Sequence, residues 1–141
     1  MEERIWHKAY DPQVPPSIDY EKITLPEALE RSARNYPDQT ALLLMGRKVS
    51  YRELNSLVNR FAAALQDLGV RKGDKVALLL PNIPQGLAAV YAAFRLGAVV
   101  VMTNPLYTEA ELEYQLKDAE ATVVITLDLL IPRLLKIKDK T

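Results

Sequence analysis

In the second half of the chain, apolar residues come in blocks. KVALLL (75–80), AVVVM (98–102) and TVVIT (122–126) are short, almost wholly apolar runs bounded by turn residues. A strand with one wet face would alternate, so these runs predict strands buried on both faces. The intervening segments change period. Leu87, Val90, Tyr91 and Phe94 mark one helix, ended by Gly97, and Leu112, Leu116 and Ala119 mark another, running to about Asp118. After the third run comes an amphipathic end, LDLLIPRLLKIKDK. Strand and helix thus alternate from residue 75, which predicts right-handed crossovers and a parallel sheet covered on both sides.

Upstream, Leu25, Ala28, Leu29, Ala33 and Tyr36 recur at helical spacing until Pro37 and Asp38 stop them. ALLLMGRKVS reads as two short strands turning at Gly46. Leu54, Leu57, Val58, Phe61, Leu65 and Leu68 form one stripe on the clearest helix, which Gly69 ends. Capping boxes are expected at Thr24/Glu27, Ser50/Glu53 and Thr108/Glu111, with hydrophobic staples at Val49/Leu54 and Tyr107/Leu112. Asn82 is expected to cap the helix that has Pro84 in its first turn. Residues 1–22 differ from all this. Pro12, Pro15 and Pro16 oppose regular structure, so they predict an extended arm whose Trp6, Tyr10 and Tyr20 lie on a larger body. The expected fold is α/β: a layered sheet of parallel βαβ units covered by helices, in residues 23–141, preceded by the arm.

Composition narrows the function. The 141 residues include no cysteine, which removes disulfides, thiolate metal sites and a cysteine nucleophile. The formal net charge is zero, so nothing favours nucleic acid as a partner. No apolar run reaches the roughly 18 residues of a membrane helix, and MEERIWHKAYDP lacks the apolar core of a secretion signal. A cytoplasmic location is the default expectation.

A search for chemistry finds no constellation. The only histidine, His7, is on the arm. None of Ser17, Ser32, Ser50 and Ser56 stands in a G-x-S-x-G elbow. Neither G-x-G-x-x-G nor G-x-x-x-x-G-K-[ST] occurs, and Gly69 and Gly73 in GVRKGD precede a strand, the wrong end of a sheet for phosphate. Glu109, Glu111 and Glu113 suit a helix start and fan around it. Arg133, Lys136, Lys138 and Lys140 suit a helix end, with a membrane or partner contact as the lesser alternative. Three turns remain where open parallel sheets gather ligands: Pro81-Asn82-Ile83, Thr103-Asn104-Pro105 and Thr126-Leu127-Asp128. Capping and turn formation account for their polar residues, so no catalytic, cofactor-binding or metal residue is assigned.

One stretch nevertheless carries a resemblance. S-Y-R-E-L, then G-V-x-x-G-D-x-V-A and L-P-N, is similar to the first conserved block of the adenylate-forming acyl-CoA synthetases. F-R-L-G-A-V-V-V-M-T-N-P is similar to the second. N-P-L-Y-T-x-x-E-L-E-x-Q-L-x-D most resembles the long-chain fatty acid–CoA ligases, as does the arm with Trp6, Tyr10 and Val14-Pro15. The resemblance covers essentially the whole chain. It implies the N-terminal part of an AMP-binding domain, truncated on its C-terminal side, in a ligase several hundred residues long. Such an enzyme uses ATP, Mg²⁺ and coenzyme A to turn a fatty acid into its acyl-CoA through an acyl-adenylate. The family's phosphate loop, nucleotide-binding acidic residues and catalytic lysine all lie downstream, and neither Lys75 nor Lys117 stands in a matching motif. The chain by itself is therefore expected to be inactive and to bind none of these cofactors tightly. Peripheral membrane association and a homodimer stay open. The alternatives are a stand-alone, non-catalytic α/β binding module, or a ligase for another carboxylic acid.

Overall fold

The computed structural model describes residues 4–140. Met1 to Glu3 of the arm, the side chain of Lys140 and Thr141 lie outside the described residues. The elements in order are α1 (Leu25–Asn35), β1 (Thr40–Leu44), β2 (Arg47–Ser50), α2 (Tyr51–Asp67), β3 (Lys75–Leu79), α3 (Pro84–Arg95), β4 (Val99–Thr103), α4 (Glu109–Asp118), β5 (Val123–Thr126) and α5 (Ile131–Ile137). β1 and β2 form an antiparallel hairpin. Its turn holds Met45 and Gly46 at φ of 49° and 82°, the doubly left-handed geometry of a type I′ hairpin turn.

β3, β4 and β5 form a parallel sheet in the order β4-β3-β5. Successive residues of β3 serve opposite faces. Val76 and Leu78 join a core with α1, α2 and α3, whereas Ala77 and Leu79 join one with Leu112 and Leu116 of α4, Leu130, and Ile137 of α5. The crossover from β3 to β4 therefore runs over the first face, and that from β4 to β5 runs back over the second. Opposite directions on opposite faces give both crossovers the same hand, as the right-handed rule requires.

Two expectations about burial need correction. β3 is buried throughout its middle, but AVVVM is not: β4 is an edge strand, and Val99 and Met102 are 50% and 64% exposed. A three-stranded sheet has only one interior strand. The innermost face of α3 is Ala88, Ala89, Ala92 and Ala93, each at 0% exposure, whereas of the expected stripe Leu87 is exposed and Val90 and Tyr91 pack against the same core only half-buried. α3 is wedged between α2 and the sheet, and only methyl side chains let backbones approach that closely. Phe94 is half-buried. The ends of two other stripes, Tyr36 and Leu68, are likewise exposed.

The arm begins with a 3-10 turn at Ile5–Ala9 and continues without regular structure. Its aromatics do not bury themselves on the body. Trp6 and Tyr10 pack on His7 between them, the Arg4 guanidinium lies 5.2 Å from the Trp6 ring centre, and Tyr20 is exposed.

All three expected capping boxes form. The backbone N–H groups of Thr24, Ser50 and Thr108 donate to Glu27, Glu53 and Glu111 at 2.6, 2.8 and 2.8 Å. The cap hydroxyls accept from the same glutamates' backbone N–H groups. These backbone bonds, followed by the cap hydroxyls, hold the three carboxyls below the ordinary glutamate range. A carboxyl whose folded pKa is lowered binds fewer protons folded than unfolded, so its contribution is complete at neutral pH. That contribution is lost as pH falls from about 5 through the ordinary glutamate value and then the lowered one. The Glu27→Gln, Glu53→Gln, Glu111→Gln triple variant keeps a capping-box side chain that does not titrate. Its urea midpoint should fall less steeply between about pH 5 and pH 3 than that of the parent. Equal slopes would show that these carboxyls carry no acid-linked stability.

Candidate functional site at the carboxyl edge of the sheet

The three parallel strands end together: Leu79 pairs with Thr103 on one side and Thr126 on the other. The chain leaves β3 toward the first face, into α3, and leaves β4 and β5 toward the second. Connections that part in this way open a crevice at the carboxyl edge, the usual ligand position in open α/β sheets.

The polar groups lining that crevice are mostly engaged in holding it together. Thr126 Oγ1 donates to the Leu79 carbonyl at 3.1 Å, tying β5 to β3. Thr103, buried, donates to the Val101 carbonyl at 3.2 Å. Asn104 Oδ1 accepts from the Leu106 N–H at 3.0 Å, a side-chain turn that redirects the chain out of β4. Asn82 does not cap α3, contrary to expectation. Pro84 occupies the first helical position, so the cap falls on Ile83, which Pro84 restricts to an extended backbone. Ile83 makes no side-chain cap bond.

Two further elements brace the loop after β4. Gln115 of α4 donates to the Met102 carbonyl at 3.2 Å. Arg133 of α5 donates to the Pro105 and Tyr107 carbonyls at 3.0 and 2.7 Å, and Lys136 pairs with Glu109 at 2.6 Å. Arg133 is therefore a clasp on the Asn-Pro-Leu-Tyr turn, where the sequence suggested only a favourable charge at a helix end. No local pattern announces a contact made across more than twenty residues.

Beside these turns lies an apolar groove of about 320 Å³, bordered by Leu42 and Leu44 of the hairpin, Leu80, Ile83, Leu87 and Met102. Its lining holds no ionisable side chain. At the opposite end of the sheet, Gly69 and Gly73 at φ of 89° and 92° shape the entry to β3, with the Arg71 N–H donating to Asp74. Glu109 and Glu111 are used in the ion pair and the cap, and among the described residues no cluster of His, Cys, Asp or Glu could hold a metal. Among the same residues no helix is long and apolar enough to cross a membrane. The carboxyl edge is thus a built scaffold without an acid–base pair or a phosphate cradle. Among the described residues this edge offers no donor set for Mg²⁺.

What this scaffold belongs to is decided by comparison with known proteins. Residues 29–141 match the family model described as AMP-binding enzyme. The chain belongs to the AMP-binding enzyme family. A long-chain-fatty-acid–CoA ligase of Bacillus subtilis is 44% identical over 133 residues, covering 94% of this chain and 24% of the relative. The chain thus spans about a quarter of the length of that AMP-binding relative. Among solved structures, the inhibitor-bound N-terminal domain of FACL13 from Mycobacterium tuberculosis superposes with a TM-score of 0.76 at 33% identity, covering 80% of this chain and 29% of that one. An anthranilate CoA ligase, AuaEII, with bound anthranoyl-AMP, gives 0.77 at 30% identity, covering 82% and 22%. The α/β fold with a parallel sheet between helical layers is that of the N-terminal subdomain of the adenylate-forming acyl-CoA synthetases.

Proposed function

We propose that residues 23–141 are the opening subdomain of a cytoplasmic, AMP-forming acid–CoA ligase whose acid is a long-chain fatty acid, with residues 1–22 as its arm. The observation that carries this reading is the 44% identity to the Bacillus subtilis ligase over 133 residues, 94% of this chain.

The proposed chemistry has a simple physical reason. A carboxylate is a poor acyl donor because its leaving group would be an oxide. In the proposed reaction a carboxylate oxygen attacks the α-phosphorus of ATP and pyrophosphate leaves. The coenzyme A sulfur then attacks the acyl carbon and AMP leaves. Both steps develop charge that must be met by a preorganised cradle and a metal ion. The part proposed for this chain is to hold the sheet edge in place.

The test is thioester formation by the gene's complete product with Mg-ATP, coenzyme A and a panel of acids. The expected result is a higher kcat/KM for long-chain fatty acids than for acetate, benzoate or anthranilate. The anthranilate ligase match favours one second reading, an aryl acid as substrate. A preference for benzoate or anthranilate would select it.

A further inference from the structure

Two of the cations that the sequence singles out near the end of the chain are occupied. Arg133 clasps the turn after β4, and Lys136 pairs with Glu109. Uncommitted positive charge lies instead beside the β1–β2 hairpin. Arg47 and Lys48 of β2 and Arg52 and Arg60 of α2 border one groove of about 580 Å³. The only carboxylate in its lining is Glu53, which is bonded into the Ser50 cap. Arg52 pairs with Asp38 at 3.0 Å, but both side chains are exposed, and such a pair contributes little. Arg47, Lys48 and Arg60 are exposed and form no ion pair among the described residues, although Arg47 stands near enough to Glu53 to favour its ionised form. From Leu43 to Arg60 the chain carries four cations and one carboxylate, a net of +3 in a protein whose formal charge is zero.

The same hairpin exposes apolar side chains between these cations and the solvent. Met45, at its turn, is 98% exposed, and Leu43 is 66% exposed. Turn formation does not call for methionine there. The first position of a type I′ turn prefers Asn, Asp or Gly, and Met45 holds its positive φ in spite of a Cβ atom. An apolar tip flanked by cations is complementary to an anionic membrane surface, where apolar side chains enter the interface and cations stay at the headgroups. The spread of the charges favours a surface over a single small ligand. Arg52 and Arg60 are eight residues apart on α2, about 12 Å along its axis, too far to close on one phosphate.

We propose that the β1–β2 hairpin and the first three turns of α2 are a docking surface for an anionic lipid bilayer. Leu43 and Met45 enter the interface, and Arg47, Lys48, Arg52 and Arg60 lie on the headgroups. Binding of this kind is reversible and is weakened by salt, which screens exposed charges. The proposal does not depend on which acid the ligase takes.

Co-sedimentation of the gene's complete product with lipid vesicles tests it. The protein should bind vesicles made of equal parts phosphatidylcholine and phosphatidylglycerol, and not vesicles of phosphatidylcholine alone. A cation at an anionic surface contributes about fivefold to binding, so the Arg47→Gln, Lys48→Gln, Arg60→Gln triple variant should bind on the order of a hundredfold more weakly. Met45→Ser should weaken binding about tenfold. Lys117→Gln, an exposed charge on α4, should bind like the parent. The substituted side chains are exposed, so urea midpoints should match the parent's and separate weaker binding from unfolding. Equal binding to phosphatidylcholine alone, a triple variant that sediments like the parent, or equal weakening by Lys117→Gln overturns the proposal. Failure to bind anionic vesicles also overturns it, and an oligonucleotide that binds instead, and is released by the triple variant, would assign the patch to nucleic acid. Thioester formation is read separately, so a ligase that ignores vesicles fails this proposal while keeping the family function.

Discussion

Leu78→Ala is expected to cost about 2–5 kcal/mol of unfolding free energy, toward the upper end of that range. Leu78 lies in the middle of β3 and is 1% exposed. Strands flank it on both sides, and its side chain points into the core formed with α1, α2 and α3. The size of the loss depends on how well neighbours close the cavity. Little can close here, because α3 meets this core with alanines, whose methyl groups have no rotamers with which to fill a gap. Leu106→Ala provides the comparison. Leu106 is 84% exposed on the turn after β4 and should change stability by no more than about 0.5 kcal/mol. Urea denaturation of both variants measures the difference. Similar midpoints would show that β3 is not the centre of the core.

Ala92→Leu should destabilise by about 1–3 kcal/mol although it adds apolar surface to a helix. Ala92 has no exposed surface and belongs to the core that α2 and α3 share. The added carbons must push α3 away from α2 or from the sheet. Ala63→Leu is the control, since Ala63 lies on the exposed side of α2 and the substitution preserves helix propensity. Thermal or urea unfolding should separate the two clearly. A neutral Ala92→Leu would restore Leu87, Val90, Tyr91 and Phe94 as the packed face.

These two cases show which parts of the fold are legible in local sequence. The capping boxes at Thr24, Ser50 and Thr108, the hairpin turn at Gly46, and the order of strands and helices all arise from bonds within a few residues, and the spacing reports them directly. Apolar content overstates the burial of β4, because it describes what a strand is able to bury, whereas exposure depends on its neighbours in the sheet. The innermost face of α3 departs from its large apolar residues for a related reason. Hydrophobicity ranks leucine and phenylalanine as inward, but a close helix contact selects alanine by volume. Asn82 lost its expected cap because Pro84 shifted the helix start by one residue. Arg133 could not be found as a clasp, since its acceptors are carbonyls brought near only by the complete fold. The carboxyl edge was legible as a position and as a family signature, and three of its polar residues, Thr103, Asn104 and Thr126, make bonds to the backbone around the strand ends.

We propose this chain as the scaffold of an acid-activating enzyme whose reacting groups lie elsewhere in a longer product. Exchange of radiolabelled pyrophosphate into ATP, dependent on a fatty acid, tests it most directly, because it reads adenylation without coenzyme A. The account predicts exchange by the longer product and none by residues 1–141. Exchange by residues 1–141 alone, or a longer product silent with every carboxylic acid, would contradict it.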